Sequence, residues 1–334
     1  MDEVKQIVAD INKGQIKPIY LLIGDEPYYI DAISTYIEKN VLTEAEKGFN
    51  QMILYGRDVA IDDIVSNAKR YPMMAERQVV IVKEAQDLAR TIDNLLAYAK
   101  NPQPSTVLVL NYKYKKFDKR KAVYKAIKKT GVVYESKKLY DNKVAEWIRR
   151  VLAGKNYTIS PKAAQMLVEF LGNDLSKINN ELEKLKIVLP EGTQISAEHI
   201  EENIGISKDY NNFELRKAIG DRDSLKAFKI VKYFADNPKD NPMVVTVSLL
   251  FSFFSQLLHY HGLHDKNPRN VASALKINPY FVNEYVLAAR NFPMRKVSEV
   301  IAVLREFDVK GKGVNSNSVS QGDLLKELMV RLLA

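Results

Sequence analysis

The chain has 334 residues, of which 46% are hydrophobic and 27% charged, with no cysteine and a formal net charge of +9. That length accommodates two or three domains with a substantial core. The lack of cysteine excludes disulfides, thiolate metal sites and cysteine nucleophiles, and makes the cytoplasm the expected compartment. The positive balance is consistent with a polyanionic partner without identifying one.

The N-terminal stretch MDEVKQIVADINKG carries alternating charges and no apolar run, so neither a signal peptide nor an anchor is expected there. Residues 20 to 31, YLLIGDEPYYID, run an apolar strand into Gly24 and then into an amphipathic helix, Tyr28 to Glu38. Strand, glycine turn and helix are the frame of a P-loop, in which backbone N–H groups and a lysine hold phosphates and a hydroxyl holds magnesium. The contents differ. With Gly24 as the first glycine, the later positions fall on Tyr29, Ile30 and Asp31. Tyr29 adds a ring where backbone has to approach phosphate, and Ile30 removes the cation. Asp31 sets a negative charge beside an anion, a repulsion of about 1 to 4 kcal/mol depending on the local dielectric.

A polar stretch containing FNQMILYG follows, then a helix IDDIVSNAKR, a strand VVIV (79 to 82), a helix TIDNLLAYAK, a strand TVLVL (106 to 110), a basic helix and GVVYES. The alternation predicts an α/β domain with a largely parallel sheet over residues 1 to 140. VVIV resembles a Walker B strand, but Lys83 stands where an acidic residue would order magnesium, with Glu84 beside it. No nucleotide, other cofactor or metal is expected. Between the helix and the VVIV strand lies Tyr71-Pro72-Met73-Met74, where Pro72 disfavours helix at Tyr71 and places the methionines on a turn. By residue type alone they suit a core or a flexible apolar plug. From Lys113 to Lys143 there are roughly four basic residues for each acidic one, a pattern that fits a solvated face or a contact with nucleic acid or an acidic protein.

From 141 onward the pattern is helical, with no convincing strand. NKVAEWIRRVLAGKN, SPKAAQMLVEFLG and DLSKINNELEKLKIVL predict a small three-helix domain over 141–208, with Ser160 as N-cap and Pro161 at the first helical position. Residues 209–334 read as five or six further helices, broken at Asn237-Pro238, Asn267-Pro268, Asn278-Pro279 and GKGVNSNS. One of them, PMVVTVSLLFSFFSQLLHYHG, is long enough for a membrane span. Its Ser248, Ser252, Ser255 and His259 draw one polar stripe, which fits a central helix of a bundle better than a span. His259, His261 and His264 are close in sequence but badly spaced for one metal. NVASALKINPYFVNEYVLAAR allows a helix-turn-helix reading, although its second helix offers mainly Asn283, Glu284 and Arg290 on polar positions.

The order of an α/β domain, a small helical lid and a helical bundle resembles the clamp-loader branch of the AAA+ fold. The strings YLLIGDEPYYIDAI, RYPMMAERQVVIVKEAQDL, LGNDLSKINNELEKL and INPYFVNEYVLAARNF together resemble the delta-subunit family of bacterial DNA polymerase III over nearly the whole chain. The resemblance implies a non-catalytic clamp-loader subunit without ATPase activity, in which Asn111 after TVLVL is a sensor with nothing to sense. It implies binding to the sliding clamp (beta subunit) through Tyr71, Met73 and Met74, although the family often carries a leucine and an aromatic at the last two positions. It further implies assembly with motor and delta-prime type subunits through a C-terminal collar, and a chamber for primer-template DNA, toward which Lys119, Arg120 and Lys121 are the candidate contacts. Two other readings stay open: an ATP-hydrolysing AAA+ enzyme with an unorthodox P-loop, and a stand-alone helix-turn-helix DNA-binding protein.

Overall fold

The computed structural model describes residues 2–314 and 319–334, so the last part of the GKGVNSNS break, 315–318, lies outside the described residues. The chain forms two compact units, Met1–Leu139 and Tyr140–Ala334. The first contains α1 (Asp2–Asn12), β1 (Ile19–Gly24), α2 (Pro27–Asn40), α3 (Glu44–Asn50), β2 (Gln51–Tyr55), α4 (Ile61–Ala68), β3 (Gln78–Lys83), α5 (Leu96–Lys100), β4 (Thr106–Lys113), α6 (Ala122–Thr130) and β5 (Val132–Ser136). All five strands are parallel, in the order β2-β3-β4-β1-β5.

Both faces of this sheet are covered, which is why its inner strands read as unbroken apolar runs. Ile19, Leu21 and Ile23 of β1 point into a core with α4, α5 and α6. Tyr20 and Leu22 point the other way, against Ile7 and Ile11 of α1 and Ile30, Ile33 and Ile37 of α2.

Three sequence expectations shift here. FNQMILYG is not merely a polar stretch: it ends α3 and supplies the edge strand β2, whose half-exposed residues hide the strand signal. TIDNLLAYAK is a 3-10 turn (Ile92–Leu95) followed by the short α5. The third buried strand runs on past Leu110 to Lys113, so the basic run begins inside the sheet and the helix α6 starts only at Ala122.

The second unit contains α7 (Asp141–Ala153), β6 (Thr158–Ile159), α8 (Pro161–Leu171), α9 (Leu175–Val188), β7 (Gln194–Ile195), α10 (Ala197–Ile204), α11 (Asn212–Gly220), α12 (Ser224–Asp236), α13 (Met243–Gly262), α14 (Pro268–Leu275), α15 (Val282–Asn291), α16 (Met294–Gly311) and α17 (Gln321–Leu333). Ser160 caps α8 by accepting from the Ala163 N–H, and Pro161 occupies its first position. Against expectation, residues 141–208 carry a fourth helix, α10, and two strands, β6 and β7, which form a two-residue parallel ladder too short to leave a periodic signal.

Helices α11 to α17 enclose a core rich in aromatic side chains, among them Phe234, Phe253, Phe254, Tyr285, Phe292 and Phe307. α13 is long and apolar enough to cross a membrane by length and composition, yet it buries Met243, Val247, Leu250, Phe254 and Leu257 in that core and packs on α16. Ser248, Ser252 and His259 lie on its exposed side. Ion pairs join 141–208 to 209–334: the buried Glu214 of α11 meets Lys162 of α8 at 2.6 Å, and Arg216 lies 3.7 Å from Glu169 of α8 and 3.4 Å from Glu284 of α15.

Candidate functional site

In parallel α/β sheets ligands gather at the carboxyl ends of the strands. There, β1 ends at Gly24, whose φ of +134° and approach to β5 exclude a side chain: a Cβ would fall 1.9 Å from the Ser136 carbonyl oxygen. Only Asp25 and Glu26 separate Gly24 from α2, so Tyr29, Ile30 and Asp31 sit inside the first turns of the helix rather than at the end of a phosphate loop. At the helix start one donor is missing and the next is taken. Pro27 has no N–H, and the Tyr28 N–H donates to the buried Glu26 carboxylate at 3.1 Å. Ile30 is wholly buried in the core of the sheet.

The centre of this end is filled by a side chain that the sequence does not single out. Lys113, whose side chain is 10% exposed, puts its Nζ 2.7 Å from Asp31 and 3.2 Å from Glu84. The Gln86 amide donates to Glu84 at 2.7 Å and accepts the Lys113 backbone N–H at 3.0 Å. Burial opposes ionisation of Glu84, but the Gln86 hydrogen bond and the Lys113 charge outweigh it and hold the carboxyl below its usual value. Burial likewise opposes the Lys113 charge, and the bond to Asp31 with the Glu84 charge raises its pKa nonetheless. Lys83 is turned away from the cluster, 3.9 Å from Glu38 of α2. Asn111 is buried and donates to the Ser34 hydroxyl at 2.9 Å.

The 71–74 turn is of the opposite kind. Tyr71 is 80% exposed, Met73 54%, and Met74 fully exposed. Met74 has φ of +52°, a left-handed conformation that costs a residue with a Cβ about 1 to 2 kcal/mol. The turn is held from below by Asn50, the last residue of α3. Its Oδ1 accepts the Met73 N–H at 2.6 Å and its Nδ2 donates to the Met73 carbonyl at 2.9 Å. Phe49, immediately before Asn50, is 75% exposed. Neither residue carries a recognisable motif; an apolar side chain beside a buried asparagine is meaningful only once the turn is seen to rest on it.

The basic run divides into paired and unpaired residues. Lys119 pairs with Glu135 at 2.7 Å, Arg120 donates through Nε and Nη2 to both oxygens of Asp118 at 3.0 Å, and Lys121 reaches Asp93 at 2.6 Å. The Arg120 guanidinium lowers the Asp118 carboxyl to about 2. Among the described residues, Lys116 and Lys137 make no ion pair; with Lys115 they line a concavity of about 360 Å³ beyond the ends of β1, β4 and β5. The described residues contain no cluster of His, Asp or Glu able to hold a metal, and His261 is instead 2.8 Å from the Phe292 carbonyl. In the helix-turn-helix candidate, Glu284 is tied to Arg216 while Val282, Tyr285 and Ala288 are buried in the bundle core, so α15 is a packing helix.

The family model for the DNA polymerase III, delta subunit, matches residues 20–137, and that for the DNA polymerase III delta subunit, C-terminal domain, matches residues 209–329. The chain is 27% identical over 321 residues to DNA polymerase III subunit delta of Bacillus subtilis (strain 168), covering 92% of each chain. Its structure is similar to that of the Bacillus subtilis DNA clamp loader delta protein YqeN, with a TM-score of 0.56, 26% identity and 99% of each chain covered.

Proposed function

The chain belongs to the DNA polymerase III delta-subunit family, and from that premise we propose that it binds the sliding clamp through the Met73–Met74 tip and helps to open it for loading onto primed DNA. The observation that carries this reading is the exposure of both methionines on a turn outside either core of the first unit. An apolar side chain kept in water by a strained backbone contributes nothing to the isolated fold and is free to fill a pocket on another protein. Opening follows from differential binding: if the tip and its surroundings fit an opened or distorted clamp better than a closed one, the clamp shifts toward opening by as much as those affinities differ.

The subunit acts without ATP. Glu26 blocks the helix start, Ile30 is committed to the core, and Lys113 already satisfies Asp31 and Glu84. Neighbouring motor subunits supply the ATP cycle. Residues 141–208 serve as the lid and 209–334 as the collar that joins the other loader subunits, with the exposed Val244, Val245 and Phe251 of α13 as candidate contacts. Primer-template DNA passes the basic end of the first unit, and the working compartment is the cytoplasm.

The test replaces both methionines. Met73→Ser with Met74→Ser should weaken binding to the sliding clamp of the same cell by about a hundredfold or more, since each buried methionine contributes about 1.5 to 3 kcal/mol. The melting temperature should stay put, because exposed positions change stability by only about 0.5 kcal/mol. Intact binding by the folded double variant, or a large fall in its melting temperature, would overturn the assignment.

A further inference from the structure

Asn50 makes two hydrogen bonds across the turn to one residue, Met73, and a third, from Nδ2 to the Glu46 carbonyl at 3.1 Å, anchors it to its own helix. The three bonds fix which way the amide faces, because a flipped amide would set oxygen against two carbonyls. The asparagine is itself buried, whereas the residues above it are in water. Backbone groups of an exposed turn have no need of a side-chain partner, since water would serve them. A buried amide reaching both the N–H and the C=O of Met73 therefore selects a conformation, and it does so immediately before the left-handed Met74.

We propose that Asn50 is a positioning residue for clamp binding: it holds the Met73–Met74 tip in its binding-competent shape without touching the clamp. This rests on the reading of the tip as the clamp contact. Released, Met74 would leave the left-handed region for ordinary backbone conformations, and only a fraction of molecules would present both methionines together. Apparent affinity falls by that fraction.

Three measurements decide it. In the unaltered full chain the Met73 amide hydrogen, although on an exposed turn, should exchange with solvent at least tenfold more slowly than the amide of Glu76; equal rates would overturn the proposal without any variant. Asn50→Ala should weaken clamp binding about five- to tenfold, and Asn50→Asp should lose a similar amount, because it keeps the acceptor for the Met73 N–H but repels the Met73 carbonyl. Added to the Met73→Ser, Met74→Ser background, Asn50→Ala should produce no further loss, whereas a direct clamp contact would lower affinity again. If the double serine variant loses binding while Asn50→Ala binds like the parent, the positioning role fails and the clamp contact stands. If the double serine variant itself binds normally, the clamp reading fails, and the positioning role with it.

Discussion

The Lys113 cluster and the Met73–Met74 tip belong to the same sheet domain and differ in what each leaves unsatisfied. At the cluster, every charge meets its opposite within the domain: one ammonium, two carboxylates and a glutamine amide come together where β3 and β4 end beside α2. At the tip the polar groups of Met73 are satisfied from below by Asn50, and what remains outside is apolar area. The position with a ligand-binding frame has its central charges matched internally, and the position without any motif leaves apolar area uncovered. Capacity to bind is read from what a fold leaves unpaired, not from where ligands sit in related architectures.

The hardest blow to this contrast would be a nucleotide site restored by one residue. Ile30→Lys returns the missing cation to the sequence pattern, but Ile30 is wholly buried, so the change removes core packing and buries an ammonium. It should destabilise the first unit by about 4 kcal/mol or more, lowering its melting temperature by about 8 °C or more. Neither it nor the parent should give a saturable, magnesium-dependent isotherm with ATP in calorimetry; such an isotherm from either would break the comparison.

Removing the ammonium sharpens it. Lys113→Met leaves Asp31 and Glu84 facing each other and should cost about 1 to 3 kcal/mol in denaturant unfolding, less than a fully buried pair because the two carboxylates are 48% and 37% exposed. The pH dependence carries the sign. The Glu84 pKa is lowered in the fold, so its contribution is present above the ordinary glutamate value near 4.5 and is lost as pH falls through the lowered value. The Lys113 pKa is raised, so its contribution is present below 10.5 and is lost as pH rises through the raised value. Lys113→Met should make the acid limb and the alkaline limb each shallower by the part that Glu84 and Lys113 contribute; an unchanged profile would mean that the cluster contributes nothing.

The smallest effect concerns the basic run. Neutralising Lys116 and Lys137, which have no ion-pair partner among the described residues, should each reduce the log-log salt slope of DNA binding by the assembled loader by about 0.9. Lys119, Arg120 and Lys121 are engaged with Glu135, Asp118 and Asp93, and their neutralisation should reduce it by less per residue. The reverse order would return the DNA contact to the 119–121 segment.

Much of this architecture is legible in the residue pattern alone. Period and continuity of apolar residues placed four of the five strands of a parallel α/β domain and an all-helical remainder, because strands covered on both faces and helices with one buried stripe leave regular traces. Residue type alone also shows that Tyr29, Ile30, Asp31 and Lys83 are not the glycine, lysine, hydroxyl and carboxylate of the P-loop and Walker B patterns. Edge strand β2 and the two-residue ladder of β6 and β7 escaped, being too exposed or too short to impose a period. Only tertiary structure decided the rest. Lys113, Asp31 and Glu84 meet because parallel register brings the ends of β3 and β4 beside α2, and Asn50 reaches Met73 because α3 ends beneath the turn. Hydrogen bonds and ion pairs act over a few ångströms in space, and such contacts between residues far apart in the chain leave no spacing in the sequence to find.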